Sequence, residues 1–201
     1  MGWFSKEQRN NMFRLALTLF SITALTALLL SAVNAITSSR ISKIEQQKLD
    51  RALSAVIQGA DSYEKVDYSN TSVKSADNKD VAIGGVWVAK KGEQILGYCV
   101  NVQPKGYGGV IETLVGVSAD KEIMGSEILT MSETSGIGTK IGEDSFLNQF
   151  IGKAGNVSAA NNDNLANEVQ TISGATKSSE AYIRGINAAI TVVNDLTLKG
   201  E

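Results

Sequence analysis

Residues 81–129 read VAIGGVWVAKKGEQILGYCVNVQPKGYGGVIETLVGVSADKEIMGSEIL, and this stretch decides the fold. Its apolar runs are rich in Val, Ile and Leu and are typical of β-strands. They predict strands at 81–89, 95–102, 110–117 and 123–129. Short polar segments separate them, with Lys90-Lys91-Gly92-Glu93 the clearest hairpin turn. We therefore expect an antiparallel meander of about four strands.

Helical patterns flank this predicted sheet. Apolar residues recur every three to five positions in 40–57, which predicts a helix, and 145–151 predicts a short one. Residues 180–196 predict an amphipathic helix whose apolar side comprises Ala181, Tyr182, Ile186, Ala189, Ile190 and Val193. The polar stretches 58–80 and 153–167 predict loops, the first with room for one short strand. The expected class is α+β, with a mainly antiparallel sheet flanked by helices.

An uncharged stretch precedes these elements. No Asp, Glu, Lys or Arg occurs in residues 15–39. About 20 apolar residues suffice to span the hydrocarbon layer of a bilayer, so we predict one transmembrane helix at 13–35. The alternative is a cleaved signal peptide, because Val33-Asn34-Ala35 resembles a cleavage site. With the anchor retained, the chain divides into a cytoplasmic tail (1–12), the membrane helix, a helical and loop connector (36–80) and a domain (81–201).

Basic and acidic side chains are nearly balanced in number. The sequence has 201 residues, with 19 Lys and Arg against 21 Asp and Glu. Residues 1–39 carry three basic side chains and one acidic one, or +2, so the remaining residues carry −4. This mildly acidic balance argues against nucleic acid as a partner, because phosphate binding requires a basic surface. Basic residues flank the apolar stretch on both sides, so the positive-inside rule leaves its orientation open.

The missing residue types exclude several kinds of chemistry. The sequence has no His, which is the commonest general base and metal ligand, and we expect no metal site. A single Cys, Cys99, excludes an intrachain disulfide and a Cys cluster for zinc or iron–sulfur. It lies within a predicted strand, and we expect it to be a buried thiol. Redox chemistry in this chain would therefore depend on an organic cofactor.

The stretch Ile172-Ser173-Gly174-Ala175-Thr176-Lys177-Ser178-Ser179 leads into the last predicted helix. Small side chains let a ligand approach the backbone, and a helix N-terminus offers unpaired N–H groups to an anion. Lys177 adds a positive charge. Ser178 or Ser179 is the expected N-cap, and Glu180 suits the first turn. The plain alternative is a turn and a cap with no ligand.

Two further clusters contain paired glycines. Glu133-Thr134-Ser135-Gly136-Ile137-Gly138-Thr139-Lys140 predicts a loop that can lie flat against a planar ligand. Gly106-Tyr107-Gly108-Gly109 places an aromatic side chain where it can pack near a ring. Taken singly, each is also compatible with an ordinary glycine turn, and Tyr107 with a core or rim position.

The order of the three clusters carries more information than any one of them. A Gly-Tyr-Gly-Gly segment, a β-meander, Glu-Thr-x-Gly-x-Gly, a short helix, and Ser-Gly-Ala-Thr before a final helix resemble the covalent FMN-binding domain family. The resemblance covers about residues 80–197 and the anchor. It is greatest to the G subunits of Rnf ion-translocating ferredoxin:NAD oxidoreductase complexes. The C subunits of sodium-pumping NADH:quinone oxidoreductases are also similar.

The resemblance implies a cofactor and its attachment point. In the family, FMN is joined by a phosphoester bond to the last Thr of the Ser/Thr-Gly-Ala-Thr motif, which is Thr176 here. A dedicated flavin transferase makes this bond on the non-cytoplasmic side, which would place residues 40–201 there. The implied cofactor-binding residues are Thr176, Ser173, Gly174, Ala175, Lys177, Glu133, Thr134, Gly136, Gly138, Thr139 and Tyr107.

The resemblance also implies a function. The chain would be an electron carrier in a redox-driven ion pump, with the other Rnf subunits, the flavin transferase and the lipid bilayer as partners. The alternatives are a membrane-anchored binding or sensor module on the outer face, and another flavinylated carrier. Ser135 and Ile137 replace the family's Pro and Leu, and Gln170 stands where the family often has Asp. If the transferase reads that Asp, modification would be slower.

Overall fold

The computed structural model describes residues 6–75, 78–160 and 167–199 of the chain. It contains two compact units, of which the first ends at Gln47 and the second begins at Lys48. The first helix, α1, is Lys6–Val56. Within the described residues it is the one helix long and apolar enough to cross a membrane, over Asn10–Val56 by length and composition. The predicted limits of the membrane helix and tail stay predictions.

A six-stranded antiparallel sheet forms the centre of the second unit in the described part of the chain. Its strands are β1 (Ser62–Val66), β2 (Ser72–Lys74), β3 (Asp80–Lys91), β4 (Gln94–Gln103), β5 (Ile111–Ser118) and β6 (Ile123–Met131). The order is β1-β3-β4-β5-β6, and β2 also pairs with β3. The predicted meander is confirmed as β3 to β6, and the predicted limits of these four strands agree with the observed ones to within two residues.

The prediction of loops at 58–80 and 153–167 is corrected, because both stretches contain short strands. Both β1 and β2 lie in the first stretch and pair antiparallel with β3, where the sequence predicts at most one strand. Ser158–Ala159 (β7) pairs in parallel with Glu168–Val169 (β8). These strands have only two to five residues each, which is too short for hydrophobic periodicity to indicate them. Residues 161–166 of the second predicted loop lie outside the described residues.

Helices complete the second unit after the sheet. A 3-10 turn at Gly138–Gly142 leads into α2 (Asp144–Leu147), which continues as a second 3-10 turn at Asn148–Phe150. The last helix, α3, is Thr176–Lys199. The prediction of helix at 145–151 and at 180–196 is confirmed, although α3 begins four residues earlier than predicted. The α+β class with a mainly antiparallel sheet and one apolar N-terminal helix is confirmed.

One face of the sheet packs against α3. The side chains predicted for the apolar side of that helix are all buried: Ala181, Tyr182, Ile186, Ala189, Ile190 and Val193. They meet alternate residues of β4 and β5, such as Val100 and Val115. Phe146 and Phe150 pack edge-on or tilted against Tyr182, with ring centroids 5.2 to 5.5 Å apart. This aromatic cluster fixes the segment after the Gly136–Gly138 loop to the body of α3.

The other face of the sheet packs against the C-terminal end of α1. Leu53, Val56 and Ile57 are buried there, in a cluster that includes Cys99 and Leu114. A Cβ on Gly116 would lie 2.7 Å from the Val56 carbonyl oxygen, so glycine permits the close approach of helix and strand. The sheet is thus covered on both faces within the second unit.

Cys99 is expected to be inert in the folded protein. Its side chain is fully buried, as predicted, and burial raises the pKa of the thiol to about 12. The thiol therefore stays protonated at pH 8, and a thiol reagent should label native protein far more slowly than unfolded protein. Because unfolding restores a pKa near 9, ionisation of Cys99 favours the unfolded state as pH rises from about 9 to 12. Labelling kinetics with and without denaturant test this, and equal rates would contradict the buried position.

Candidate functional site

The three clusters predicted from the sequence meet at one cleft of about 510 Å³. Volumes of roughly 300–1,000 Å³ are typical of cofactor pockets. Its walls comprise Tyr107, Glu133, Thr134, Ile137, Gly138, Gly174, Ala175, Thr176, Lys177 and Ser178. These residues come from three separate segments of the sequence, and the sheet and α3 bring them together. The predicted association of the clusters is therefore present in the structure.

Thr176 is the first residue of α3 and is exposed. A turn directly before it is closed by the Ala175 N–H, which donates to the Ile172 carbonyl oxygen at 2.9 Å. Gly174 is the third residue of that turn and has a φ of 80°. A residue with a Cβ is strained in this left-handed region, so glycine is required for backbone reasons. The turn places Thr176 and its hydroxyl at the N-terminus of α3.

The N-terminus of α3 lacks the predicted cap, and this prediction is wrong. Ser178 and Ser179 lie inside the helix and are buried. The Ser179 hydroxyl instead donates to the Ala175 carbonyl oxygen at 3.1 Å and accepts from the Ile172 N–H at 3.1 Å. Glu180 lies beyond the first turn. Since no side chain among the described residues caps the first N–H groups, they remain available to an anion.

Glu133 lines the cleft and is only 9% exposed. Its Oε1 accepts hydrogen bonds from the Tyr107 N–H at 3.0 Å and the Gly108 N–H at 3.1 Å. Its Oε2 accepts one from the Ser178 hydroxyl at 2.6 Å. One carboxylate therefore joins the loop before β5, the loop after β6 and the first turn of α3.

The loop after β6 is a turn of the same kind as the one before α3. The Ile137 N–H donates to the Thr134 carbonyl oxygen at 3.2 Å, and Gly136, third in the turn, has a φ of 74°. The Thr139 hydroxyl accepts from the Gly136 N–H at 2.9 Å. Ser135 occupies the second position, where proline is favoured, and the turn forms without it. The Ile137 side chain is 47% exposed and lies at the cleft.

Tyr107, on the loop before β5, and Lys177, in the first turn of α3, meet across the cleft. The Lys177 ammonium nitrogen lies 5.7 Å from the centroid of the Tyr107 ring, within the range of a cation–π contact. Tyr107 is 69% exposed, so its ring is a rim residue and not a core one. The pair places an aromatic face and a positive charge beside the start of α3.

The structure distinguishes the predicted site residues from one another. Those that line the cleft are Tyr107, Glu133, Thr134, Gly138, Gly174, Ala175, Thr176 and Lys177, whereas Ser173, Gly136 and Thr139 only shape its loops. Sequence reasoning missed Ile137 and Ser178 as lining residues. The sequence assigns Ser178 to capping, because hydroxyl residues before a helix usually cap it. Within the described ranges, no group of three or more Asp, Glu or Cys side chains is arranged to hold a metal.

Comparison with known proteins supports the assignment of a cofactor site. The model of the FMN-binding domain family matches residues 106–191, and that of the RnfG N-terminal region matches residues 1–56. The chain is 31% identical over 193 residues to the G subunit of the Na⁺-translocating ferredoxin:NAD⁺ oxidoreductase complex of Acetobacterium woodii, covering 92% of this chain and 93% of that protein. It is 28% identical over 192 residues to the G subunit of the proton-translocating complex of Clostridium ljungdahlii, covering 95% and 96%.

A solved structure shares the fold. The crystal structure of the C subunit of the Na⁺-translocating NADH-quinone reductase from Parabacteroides distasonis superposes with a TM-score of 0.53 at 21% sequence identity. The superposition covers 79% of this chain and 96% of that one. The β-meander with its terminal helix is therefore a fold that experiment has observed.

Proposed function

Because this chain belongs to the RnfG family, the G subunits of ion-translocating ferredoxin:NAD⁺ oxidoreductase complexes, we propose that it carries FMN on Thr176 and relays electrons within such a complex. The single observation that carries the proposal is the cleft at the start of α3, where the exposed Thr176 hydroxyl lies beside uncapped N–H groups and Lys177. The binding or sensor alternative is not favoured, because the relatives matched over nearly the whole chain are members of such complexes.

The residues of the cleft fit this cofactor. A phosphate group requires hydrogen-bond donors and positive charge, which the first turn of α3 and Lys177 supply. A flat ring system requires an open cleft with apolar and aromatic walls, which Ile137 and Tyr107 supply. FMN, when bound, accepts and donates electrons, so the protein itself needs no general base. The absence of His from the sequence is consistent with this division of roles.

Thr176 serves as the attachment point. Its oxygen would bond to the phosphorus of the flavin donor, and the rest of the donor would leave from that phosphorus and take up the hydroxyl proton. The chain then gains the mass of one FMN less one water. A dedicated flavin transferase catalyses this exchange, and the exposed position of Thr176 gives that enzyme access. The covalent bond prevents loss of the cofactor by dissociation.

The N-terminal helix serves as the membrane anchor in this proposal. The apolar part of α1 is long enough to span a bilayer, and the RnfG N-terminal region matches residues 1–56. The domain that follows lies on the extracytoplasmic side, where the flavin transferase acts. Anchoring keeps the flavin close to the other membrane proteins of the complex, which supply and remove its electrons.

Mass spectrometry of the native protein tests the proposal. The intact chain should be heavier than its sequence by one FMN less one water, and the added mass should lie on the peptide containing Thr176. The same stretch of sequence contains Ser173, Ser178 and Ser179, so fragmentation must locate the modified residue. Unmodified Thr176 in protein from its native membrane would refute the attachment.

A further inference from the structure

We propose that Glu133 is the positioning residue of the flavin cleft: its buried carboxylate fixes the Tyr107 loop and the start of α3 to one another and does not itself hold the flavin. The inference rests on the proposed function, because its readouts require FMN on Thr176. It goes beyond that function because it gives Glu133 a role of its own. The family resemblance implies only that the loop containing Glu133 lines the flavin.

The hydrogen bonds of Glu133 show why it acts through its neighbours. Both carboxylate oxygens are engaged, Oε1 by the backbone of Tyr107 and Gly108 and Oε2 by the Ser178 hydroxyl. Hydrogen bonds to a carboxylate are among the stronger ones in proteins, and removing a buried partner leaves donors unsatisfied. The side chain is nearly buried, so its oxygens face the protein. Its donors therefore hold Glu133 within the wall of the cleft.

The packing around Glu133 indicates that the carboxylate position is built into the fold. A Cβ on Gly138 would lie 2.9 Å from both Cβ and Oε2 of Glu133, and 3.2 Å from the Ser178 hydroxyl. A Cβ on Gly106 would collide with Oε1 of Glu133. Neither glycine has a positive φ, so crowding is the reason for glycine at both positions, by Glu133 and Ser178 at Gly138 and by Glu133 and Ile111 at Gly106.

The consequence for the cofactor is geometric. Thr176 lies two residues before Ser178, on the turn of α3 that Glu133 holds. Tyr107 lies on the loop whose backbone N–H groups bind the other oxygen. A flavin attached to Thr176 reaches the Tyr107 wall only if these two elements keep a fixed separation. Glu133 sets that separation, and so it sets the orientation of the ring and the access of the flavin transferase.

The test uses the full-length chain, produced in membranes together with the flavin transferase and purified in detergent. Glu133→Ala, Glu133→Gln and Ser178→Ala are compared with the wild type by flavinylation rate, visible circular dichroism and fluorescence anisotropy of the attached flavin. We expect Glu133→Ala to be flavinylated roughly tenfold more slowly, as for loss of a buried charged hydrogen-bond acceptor. Its flavin should show weaker dichroism and lower anisotropy. Glu133→Gln keeps an acceptor for the Tyr107 loop and should be intermediate.

Two controls separate positioning from stability. Glu143→Gln makes the same chemical change on an exposed side chain outside the cleft and should match the wild type. Leu114→Ala lowers stability by opening a cavity on the opposite face of the sheet and should leave the dichroism and anisotropy of the flavin unchanged. Ser178→Ala, which keeps the Tyr107 contacts, also covers the case in which Glu133→Ala fails to fold.

The outcomes are distinguishable. Wild-type dichroism and anisotropy in Glu133→Gln and Ser178→Ala would overturn the positioning role, and so would equal losses in Leu114→Ala. A wild-type chain that acquires no FMN from a competent transferase would instead overturn the proposed function.

Discussion

Replacing Thr176 by Ala should abolish covalent flavin and leave the fold intact. The hydroxyl is the attachment atom in our proposal, and an exposed methyl at the first helical position disturbs no buried contact. Surface substitutions of this kind change stability by about 0.5 kcal/mol or less. The denatured variant should show no flavin fluorescence on a gel, its intact mass should equal that of the bare sequence, and its far-ultraviolet circular dichroism should match the wild type.

Matched variants make this prediction specific. Ser173→Ala removes a hydroxyl that is also exposed and lies three residues earlier, outside the cleft lining, so it should retain full flavin. Thr176→Ser keeps an oxygen at the right position, and we expect partial modification. Acid-stable flavin on Thr176→Ala protein would show that the attachment lies elsewhere. Loss of flavin from Ser173→Ala alone would point to Ser173.

Gln170 bears on how the flavin transferase recognises the chain. The resemblance implies that an Asp often stands three residues before the motif, and Gln170 is exposed at that position. Its backbone N–H donates to the Gln149 side-chain oxygen at 2.8 Å, so the backbone there is held independently of the Gln170 side chain. A recognition role for this position therefore concerns the side chain alone and leaves the loop in place.

The sequence predicts the centre of the sheet well and its edges poorly, for a physical reason. Strands β3 to β6 have long apolar runs because both faces of the sheet are covered, one by α3 and the other by the end of α1. The pattern of apolar residues in a sequence indicates which positions are buried, and these strands contain most of the buried residues of the sheet. By contrast, β1 has the sequence SYEKV and exposes three of its five side chains. Its pairing with β3 depends on backbone hydrogen bonds, which leave no trace in composition.

The sequence likewise predicts the candidate site only in part. The order of the three glycine-containing clusters indicates that they belong to one site, but the contacts that join them span 25 to 45 residues in sequence. No local rule predicts that Glu133 accepts hydrogen bonds from Tyr107 and Ser178. The sequence pattern places the start of α3 too late because Ser178 and Ser179 resemble caps. Tertiary packing instead directs their hydroxyls to Glu133 and to the turn before α3, so the first N–H groups of the helix receive no cap from the residues that the structure describes.

The stability of the domain should depend strongly on the aromatic cluster of Phe146, Phe150 and Tyr182. Phe150 is fully buried, and its ring lies 5.3 Å from Phe146 and 5.2 Å from Tyr182. Phe150→Ala removes these contacts and leaves a cavity, which typically costs about 3–5 kcal/mol. For a domain of this size, each kcal/mol lowers the melting temperature by roughly 2–4 °C. The melting temperature of the full chain in detergent should therefore fall by about 10 °C.

The neighbouring residue provides the control for Phe150. Ile151 is 53% exposed, so Ile151→Ala should change the free energy of unfolding by about 0.5 kcal/mol or less. Tyr182 lies on α3, so loss of Phe150 loosens the helix that presents Thr176. Flavin already attached to Phe150→Ala protein should nevertheless survive denaturation, because an ester bond does not depend on the fold once formed. Equal melting temperatures for the two variants would show that the cluster does not anchor α3.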